Sequence, residues 1–408
     1  MVSFPDTNQA LEKNHSTVTA SLKVINDVIE ALDRKEYCAA LFIDLSKAFD
    51  TVDHATVSRC LGQAVNCFSN YLFNRSQCVR SAGVSSSYLP LLNGVPQGSV
   101  LGPLIFSIYV NDLCNNMSDA SHHFYADDTV IYCSSTSVVR SLECLQSAFD
   151  SVQSHLMQLR LVLNADKSKF MLFTNGKSLP ADLPKLRTAE GIEIERVTSY
   201  KYLGITVDDN LSFKSHIDKL VSKLKLKLGF FYRNASCFSL QVRSHLVKST
   251  FLPLLDYGDF LYMHAPDQYL KRLDSMYNSA LRFVTKSGLR VHHCTLYATA
   301  KCPSLASRRL TRWLTFVHKS LIGLAPSYLS ELLIFKQSHY ALRSQDSLQL
   351  VEPKTRIDLG EMAFSYAAPK AWNQLQEELK LPGLVTRGEF KAILQDLENG
   401  SIGECKCF

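Results

Sequence analysis

The chain has 408 residues, 46% of them hydrophobic and 20% charged, with a formal net charge of +6. That apolar content allows a sizeable core and two or three domains, and the mild basic excess permits a nucleic-acid partner without requiring one. The longest apolar run, residues 100–110, contains Gly102-Pro103 and is too short to span a bilayer, so no membrane anchor is expected. Residues 1–9 lack a signal-peptide core, and the 12 cysteines include no CxxC pair, so reduced thiols and an intracellular chain are expected.

In chain order, Val18, Leu22, Ile25, Ile29 and Leu32 keep a helical spacing over residues 16–32, with Ser16 or Thr17 as the N-cap. Residues 37–45 are nearly all apolar and read as a buried strand. A helix over 55–72 and short strands over 77–81 and 88–92 follow. Gly94, Pro96, Gly98, Gly102 and Pro103 punctuate a loop that opens a helix over 104–113. Residues 122–132 read as strand, tight turn, strand, and 137–161 as an amphipathic helix. Strands fit 170–174 and 200–207. This order predicts an α+β domain, an antiparallel sheet backed by helices.

From about Phe213 the pattern becomes mostly helical and basic. Residues 214–248 hold eight Lys or Arg against Asp218, and residues 271–312 hold nine against Asp274. Interleaved with Tyr232, Tyr277 and Trp313, this charge suits a surface that tracks a phosphate backbone, or else a solvated helix face. Residues 343–386 read as turns and short elements, with a last helix over 389–397. His292, His293, Cys294 and Cys302 could form a metal site but are expected to be structural, and the tail Cys405-Lys406-Cys407 is too short for a zinc knuckle.

The sharpest chemical signal is Asp127-Asp128 between two apolar strands. Adjacent carboxylates repel and are costly near a core, and a bound divalent cation removes both problems. Asp44 ends the strand Leu41-Phe42-Ile43 in an equally odd place. A strand ending in Asp, facing a hairpin tipped with two, would make a two-metal site for phosphoryl transfer, with ions about 3.5–4 Å apart; the alternative for Asp44 is a strand-end turn residue.

Five segments, read together, resemble the reverse transcriptases of LINE-type, non-LTR retrotransposons. The stretch from Leu41 to His54, with Asp44-Leu45-Ser46-Lys47-Ala48-Phe49-Asp50, resembles their polymerase motif A. Gly94-Val95-Pro96-Gln97-Gly98-Ser99 resembles motif B, and Phe124-Tyr125-Ala126-Asp127-Asp128 motif C. Asn164-Ala165-Asp166-Lys167-Ser168-Lys169 and Tyr200-Lys201-Tyr202-Leu203-Gly204-Ile205 resemble motifs D and E. The resemblance implies a right-hand polymerase palm over 37–210 after a remnant of fingers over 1–36. A mostly helical thumb over 211–325 and a C-terminal extension over 326–408 complete it. It implies an RNA-directed DNA polymerase that uses RNA template, DNA primer and deoxynucleoside triphosphates, with two Mg²⁺ ions, or Mn²⁺ in their place. Asp44, Asp127 and Asp128 become metal ligands and catalytic residues, and Lys167, or secondarily Lys169, the general acid for the leaving pyrophosphate, against the alternative of a surface lysine. Phe49 becomes a gate against the 2′-hydroxyl, with core packing as its alternative. Gln97 and Gly98 become nucleotide-binding residues, against an ordinary Pro/Gly turn. Tyr202, Leu203 and Gly204 become a primer grip, against a strand that packs one domain on another.

The sequence also departs from that pattern. Only 43 residues precede Asp44, without the Arg-Pro-Ile-Ser-like segment that holds the triphosphate, and Ala10-Leu11-Glu12 stand where the family reads Gly-Phe-Arg. An N-terminally truncated copy is therefore expected, with a catalytically inactive nucleic-acid-binding remnant as the alternative. A telomerase-like relative fits less well, for want of an RNA-binding domain of that kind. A viral RNA polymerase fits less well because Ala126 and Phe49 differ from its usual residues.

Overall fold

The computed structural model describes residues 13–61, 71–96, 98–113, 117, 119–336 and 348–401. The chain divides into two compact units, one of residues 1–20 and 35–200, the other of residues 21–34 and 201–408.

The first unit is built on a five-stranded sheet. After helix α1 (Thr17–Asp33), which runs from the first unit into the second, come β1 (Tyr37–Ile43) and α2 (His54–Leu61). Four two-residue strands follow: β2 (Ser76–Gln77), β3 (Arg80–Ser81), β4 (Val84–Ser85) and β5 (Leu89–Pro90). Next are α3 (Leu101–Tyr109), β6 (Ser121–Tyr125), β7 (Asp128–Ser135), α4 (Val138–Gln158), β8 (Lys169–Phe173) and β9 (Glu195–Arg196). The sheet order is β6-β7-β1-β8-β9, antiparallel except for the short parallel β8–β9 pair. This is the α+β arrangement expected from the alternation of strand and helix patterns.

Strand alternation decides which residues reach the core. Ala39, Leu41 and Ile43 of β1, Ile131 and Cys133 of β7, Phe124 of β6 and Phe170 and Leu172 of β8 share one sheet face. They pack in one cluster with Leu142, Leu145 and Phe149 of α4. The opposite face carries Phe42 and, one residue beyond the strand, Asp44. Tyr200 covers Phe42 there, the rings stacked with centroids 4.3 Å apart. Central β1 is thus buried on both faces, which is why its sequence is an unbroken apolar run.

The second unit is mostly helical. A hairpin of β10 (Ser199–Tyr202) and β11 (Ile205–Asp208) leads into α5 (Lys214–Arg233). Its two-residue turn, Leu203-Gly204, has φ of 44° and 86°, a type I′ geometry. A Cβ on Gly204 would meet the Tyr257 ring at 2.9 Å, and the Tyr257 hydroxyl donates to the Leu203 carbonyl at 2.7 Å. Helices α6 (Asp267–Thr285), α7 (Leu305–Leu321), α8 (Phe364–Leu379) and α9 (Arg387–Ser401) complete the core.

Helix α8 corrects the expectation of turns and short elements over 343–386. Pro369 inside it interrupts the usual helical signal. Its buried face, Phe364, Ala368, Trp372 and Leu375, nonetheless keeps the helical period. Asn373 on the same helix holds the 350–352 segment: Oδ1 accepts from the Leu350 amide at 2.7 Å, and Nδ2 donates to the Leu350 carbonyl at 2.9 Å.

Beneath the β10–β11 hairpin the Thr206 amide donates to His216 Nδ1 at 3.3 Å. Burial, helped by Lys223 and Lys219, pushes the His216 pKa down to about 4. An unfolded histidine titrates near 6.5. Between those values the unfolded state binds a proton that the native state refuses, so this group's contribution is intact above about pH 6.5 and is lost as pH falls toward 4. Both tryptophans, Trp313 and Trp372, lie in the second unit and report on it. Asp259, pushed up to about 6, takes up a proton in the native state over the same range and acts in the opposite direction, while His264 and His318 act with His216. In urea unfolding followed by tryptophan fluorescence, stability should therefore fall less, or rise more, from pH 7 to pH 5 in His216→Asn than in the wild type. An unchanged slope would remove His216 from the account.

Candidate active site

The carboxylates are brought together by strand register. In the β1–β7 ladder Ile43 pairs with Thr129, so Asp44, one residue further, comes level with Asp128, the first residue of β7. Residues that face each other across a ladder share a sheet face. Asp44 and Asp128 therefore lie side by side on the face away from α4. Asp127 is added by the hairpin turn. Tyr125 pairs with Asp128, leaving Ala126-Asp127 as a two-residue connection in which only Ala126 has positive φ (57°), a type II′ geometry. An ordinary alanine in that conformation is strained, a cost that surrounding structure must over-determine.

Two like charges directly opposite each other destabilise a sheet. The first unit supplies partial relief. Lys167 Nζ lies 3.8 Å from Asp44 Oδ2. That contact is long, and Asp44 Oδ2 is itself shielded from solvent without a hydrogen-bond donor. Asp44's side chain remains 34% exposed, so the carboxylate faces an open space rather than a sealed core. Carboxylate oxygens are the hard donors that divalent cations take, but among the described residues only His292, His293 and Cys294 bring three donor atoms within 4.8 Å of one another; Asp44, Asp127 and Asp128 share a region without forming so close a set. The Tyr200 phenol lines the same face. Its pKa is raised by burial, then by the charges of Asp128 and Asp44, so it stays protonated.

The loops around these carboxylates are fastened to one another. The Asp44 amide donates to the buried Ser168 hydroxyl at 3.1 Å, and the Asp44 carbonyl accepts from the Asn164 amide at 2.9 Å. Asn164 Oδ1 in turn accepts from the Lys167 amide at 3.2 Å, folding residues 164–168 into a turn that aims Lys167 at Asp44. Lys169 is engaged elsewhere, with Glu195 at 3.0 Å and with the Asp166 carbonyl. The sequence gives no signal for these roles of Ser168 and Asn164, because a hydroxyl and an amide that only hold backbone carry no motif chemistry of their own.

The segment around Gly94 is fastened to the loop after Asp44. The Gly94 amide donates to the Val52 carbonyl at 2.8 Å and the Val95 amide to the Phe49 carbonyl at 2.9 Å. His54 Nε2 meets the Gly94 carbonyl at 2.7 Å. A Cβ at Gly94, whose φ is +86°, would meet the Asp50 carbonyl at 2.8 Å, so only glycine fits. Asp53 caps α2, accepting from the Thr56 amide at 3.1 Å and hydroxyl at 2.6 Å; the hydroxyl bond is the main cause holding its carboxyl below the usual range. Phe49 is half-buried on Phe106, ring centroids 4.8 Å apart. Gly98 has φ of +80° and open space around it. Gln97 lies outside the described residues.

In the second unit Tyr202 and Leu203 are buried at the β10–β11 turn. Lys214, Lys219, Lys223 and Lys225 are exposed along α5, with Leu226 and Phe230 exposed among them. Other members of the basic set turn inward. Arg243 donates to the Phe238 and Phe283 carbonyls, and Arg308 and Arg312 pair with Asp256, Arg312 also with Asp259. Burial pushes the Asp259 pKa up to about 6 in spite of Arg312. His292, His293 and Cys294 offer donor atoms within 4.8 Å of one another, while the Cys302 thiol donates instead to the Ala300 carbonyl.

The family model described as "Reverse transcriptase (RNA-dependent DNA polymerase)" matches residues 2–207, half of the chain. The chain belongs to that family. Its curated relatives are polymerases of mobile elements, as the LINE-type resemblance implied. It is 26% identical over 361 residues to the RNA-directed DNA polymerase from mobile element jockey of Drosophila melanogaster, covering 84% of this chain and 37% of the relative. It is 28% identical over 312 residues to the jockey polymerase of Drosophila funebris, covering 72% of this chain and 33% of that one. The chain thus spans about a third of the length of the relatives it matches. Apo telomerase from Candida tropicalis aligns over 79% of this chain and 56% of that chain at 12% identity, and its TM-score of 0.34 is too low to carry an argument. No described helix is long and apolar enough to cross a membrane.

Asp44→Asn removes one of the two facing charges. Without divalent cations it should raise the melting temperature of the first unit by about 1–2 °C, from a like-charge pair worth roughly 0.2–1 kcal/mol. Adding Mn²⁺ should raise the wild-type melting temperature and leave Asp44→Asn nearly unmoved. Equal shifts in both proteins would show that Asp44 is not a ligand.

Proposed function

We propose that this chain is the RNA-directed DNA polymerase part of a LINE-type mobile element, adding deoxynucleotides to a primer 3′-hydroxyl on an RNA template. The observation that carries the reading is the ladder register that sets Asp44 beside Asp128, with Asp127 on the adjoining turn. In this reading residues 37–210 are the palm and 211–325 the thumb, with 1–36 the end of the fingers and 326–408 an extension.

Asp44, Asp127 and Asp128 hold two Mg²⁺ ions, with Mn²⁺ as a substitute. When bound, such a pair lowers the pKa of the attacking hydroxyl and neutralises the leaving pyrophosphate. The chain's own groups do the rest. Lys167, whose ammonium already lies by Asp44, gives a proton to the departing pyrophosphate. Lys169 is the weaker candidate, since Glu195 and the Asp166 carbonyl hold it. The protonated Tyr200 phenol adds no further negative charge beside Asp44 and Asp128. Phe49, backed by Phe106, closes the space a 2′-hydroxyl would need. Gln97 and Gly98 approach the incoming nucleotide. The turn at Tyr202, Leu203 and Gly204 grips the primer, and the exposed lysines of α5 follow the phosphate backbone of the duplex.

Primer extension on an RNA template, with Mg²⁺ and either deoxy- or ribonucleotides, tests these assignments together. Wild-type chain should extend with deoxynucleotides. Asp127→Ala should lose extension by at least 10³-fold while retaining salt-sensitive template binding. Phe49→Ala should admit ribonucleotides. Salt-sensitive binding without any incorporation by the wild type would favour a nucleic-acid-binding remnant. Equal extension by Asp127→Ala would overturn the site, and unchanged ribonucleotide use by Phe49→Ala would leave that ring as packing alone.

A further inference from the structure

Away from the carboxylates, two thiols sit unusually close. Cys133 lies on β7, on the sheet face covered by α4, and Cys144 lies on α4 itself. Their sulfurs are 2.7 Å apart, with Cys144 donating. A disulfide bond spans about 2.05 Å, so little movement separates the pair from a bond. Their surroundings differ in a useful way. Cys133 is 2% exposed, and its thiol is pushed far up by burial first and then by the Cys144 contact. Cys144 is half-buried and lines a small recess of about 70 Å³ with Met117, Asp119, Ala120, Ser147 and Ser151. Of the two thiols, Cys144 is the nearer to solvent. Cys38, on the neighbouring strand, pairs with Ser134 and so belongs to the other sheet face.

We propose that Cys133 and Cys144 form a reversible dithiol–disulfide site, which takes a small-molecule disulfide such as oxidised glutathione as its oxidant. The Cys144 thiolate attacks one sulfur of glutathione disulfide, forming a mixed disulfide and releasing one glutathione thiolate. Cys133 then gives up its proton and attacks the Cys144 sulfur, and the second glutathione leaves. In sum, two protein thiols and one glutathione disulfide become one protein disulfide and two glutathione thiols. The raised Cys133 pKa slows the second step, and the 2.7 Å approach offsets that by making it intramolecular. The product staples β7, whose first residue is Asp128, to the helix that backs the sheet. A thiol pair in contact is also the arrangement least damaged by oxidation, since the disulfide forms before either sulfur climbs to an irreversible acid.

The test equilibrates the full chain with mixtures of reduced and oxidised glutathione, traps free thiols by alkylation and maps the peptides by mass spectrometry. The expected result is a cross-linked peptide pair containing Cys133 and Cys144, two hydrogens lighter than the reduced pair and restored by dithiothreitol. In Cys133→Ser, Cys144 should stop at the glutathione adduct. The exposed Cys237 serves as the internal control for reagent access. The proposal is overturned if Cys133 and Cys144 are both still alkylated when Cys237 is fully modified. It is equally overturned if Cys144 keeps its glutathione in the wild type, or bonds to another cysteine.

Discussion

The register of the β1–β7 ladder, set by the core, is the constraint on which the carboxylate face of the first unit depends. The β1–β7 ladder is held in register by core residues that have nothing to do with charge: Ala39, Leu41, Ile43, Ile131 and Cys133 must face α4. A one-residue slip would turn all of them to the wrong face. Given that register, Asp44 and Asp128 stand level on one sheet face. The hydrophobic core thus supplies the energy that holds two negative charges together.

The loops divide the work of holding that arrangement still. Ser168 and Asn164 fix the backbone of Asp44 from one side, and the Gly94–Val95 amides fix residues 49–52 from the other. Most of these bonds are made to backbone, so they set positions without adding charge near the carboxylates. Lys167 is the exception, a cation aimed at Asp44 by the turn that Asn164 caps. A single ammonium at 3.8 Å on an exposed stem is a weak counter-ion. Lys167 therefore compensates Asp44 only weakly.

Much of the fold was legible in the sequence because period and punctuation agreed there. The apolar run at 37–45, the Asp-Asp hairpin and the long amphipathic helix after residue 137 all appear with their expected type. What escaped was information carried by distance rather than by local pattern. Helix α8 was hidden by Pro369, whose tolerance depends on the buried Phe364 and Trp372 around it. The inward turn of Arg243, Arg308 and Arg312 could not be read from a count of positive residues, since their partners Asp256, Phe283 and Asp259 lie up to 56 positions away. The engagement of Lys169 likewise depends on Glu195, which the β8–β9 pairing brings near.

In the proposed function Asp44, Asp127 and Asp128 share divalent cations. Anomalous diffraction from crystals grown with Mn²⁺, template–primer and a non-hydrolysable deoxynucleotide measures this directly. Two anomalous peaks about 3.5–4 Å apart, each within coordinating distance of Asp44 and of the 127–128 turn, are the predicted result. A wild-type density with Mn²⁺ absent from that face, or bound only to Asp127 and Asp128 with Asp44 held by Lys167, would contradict it.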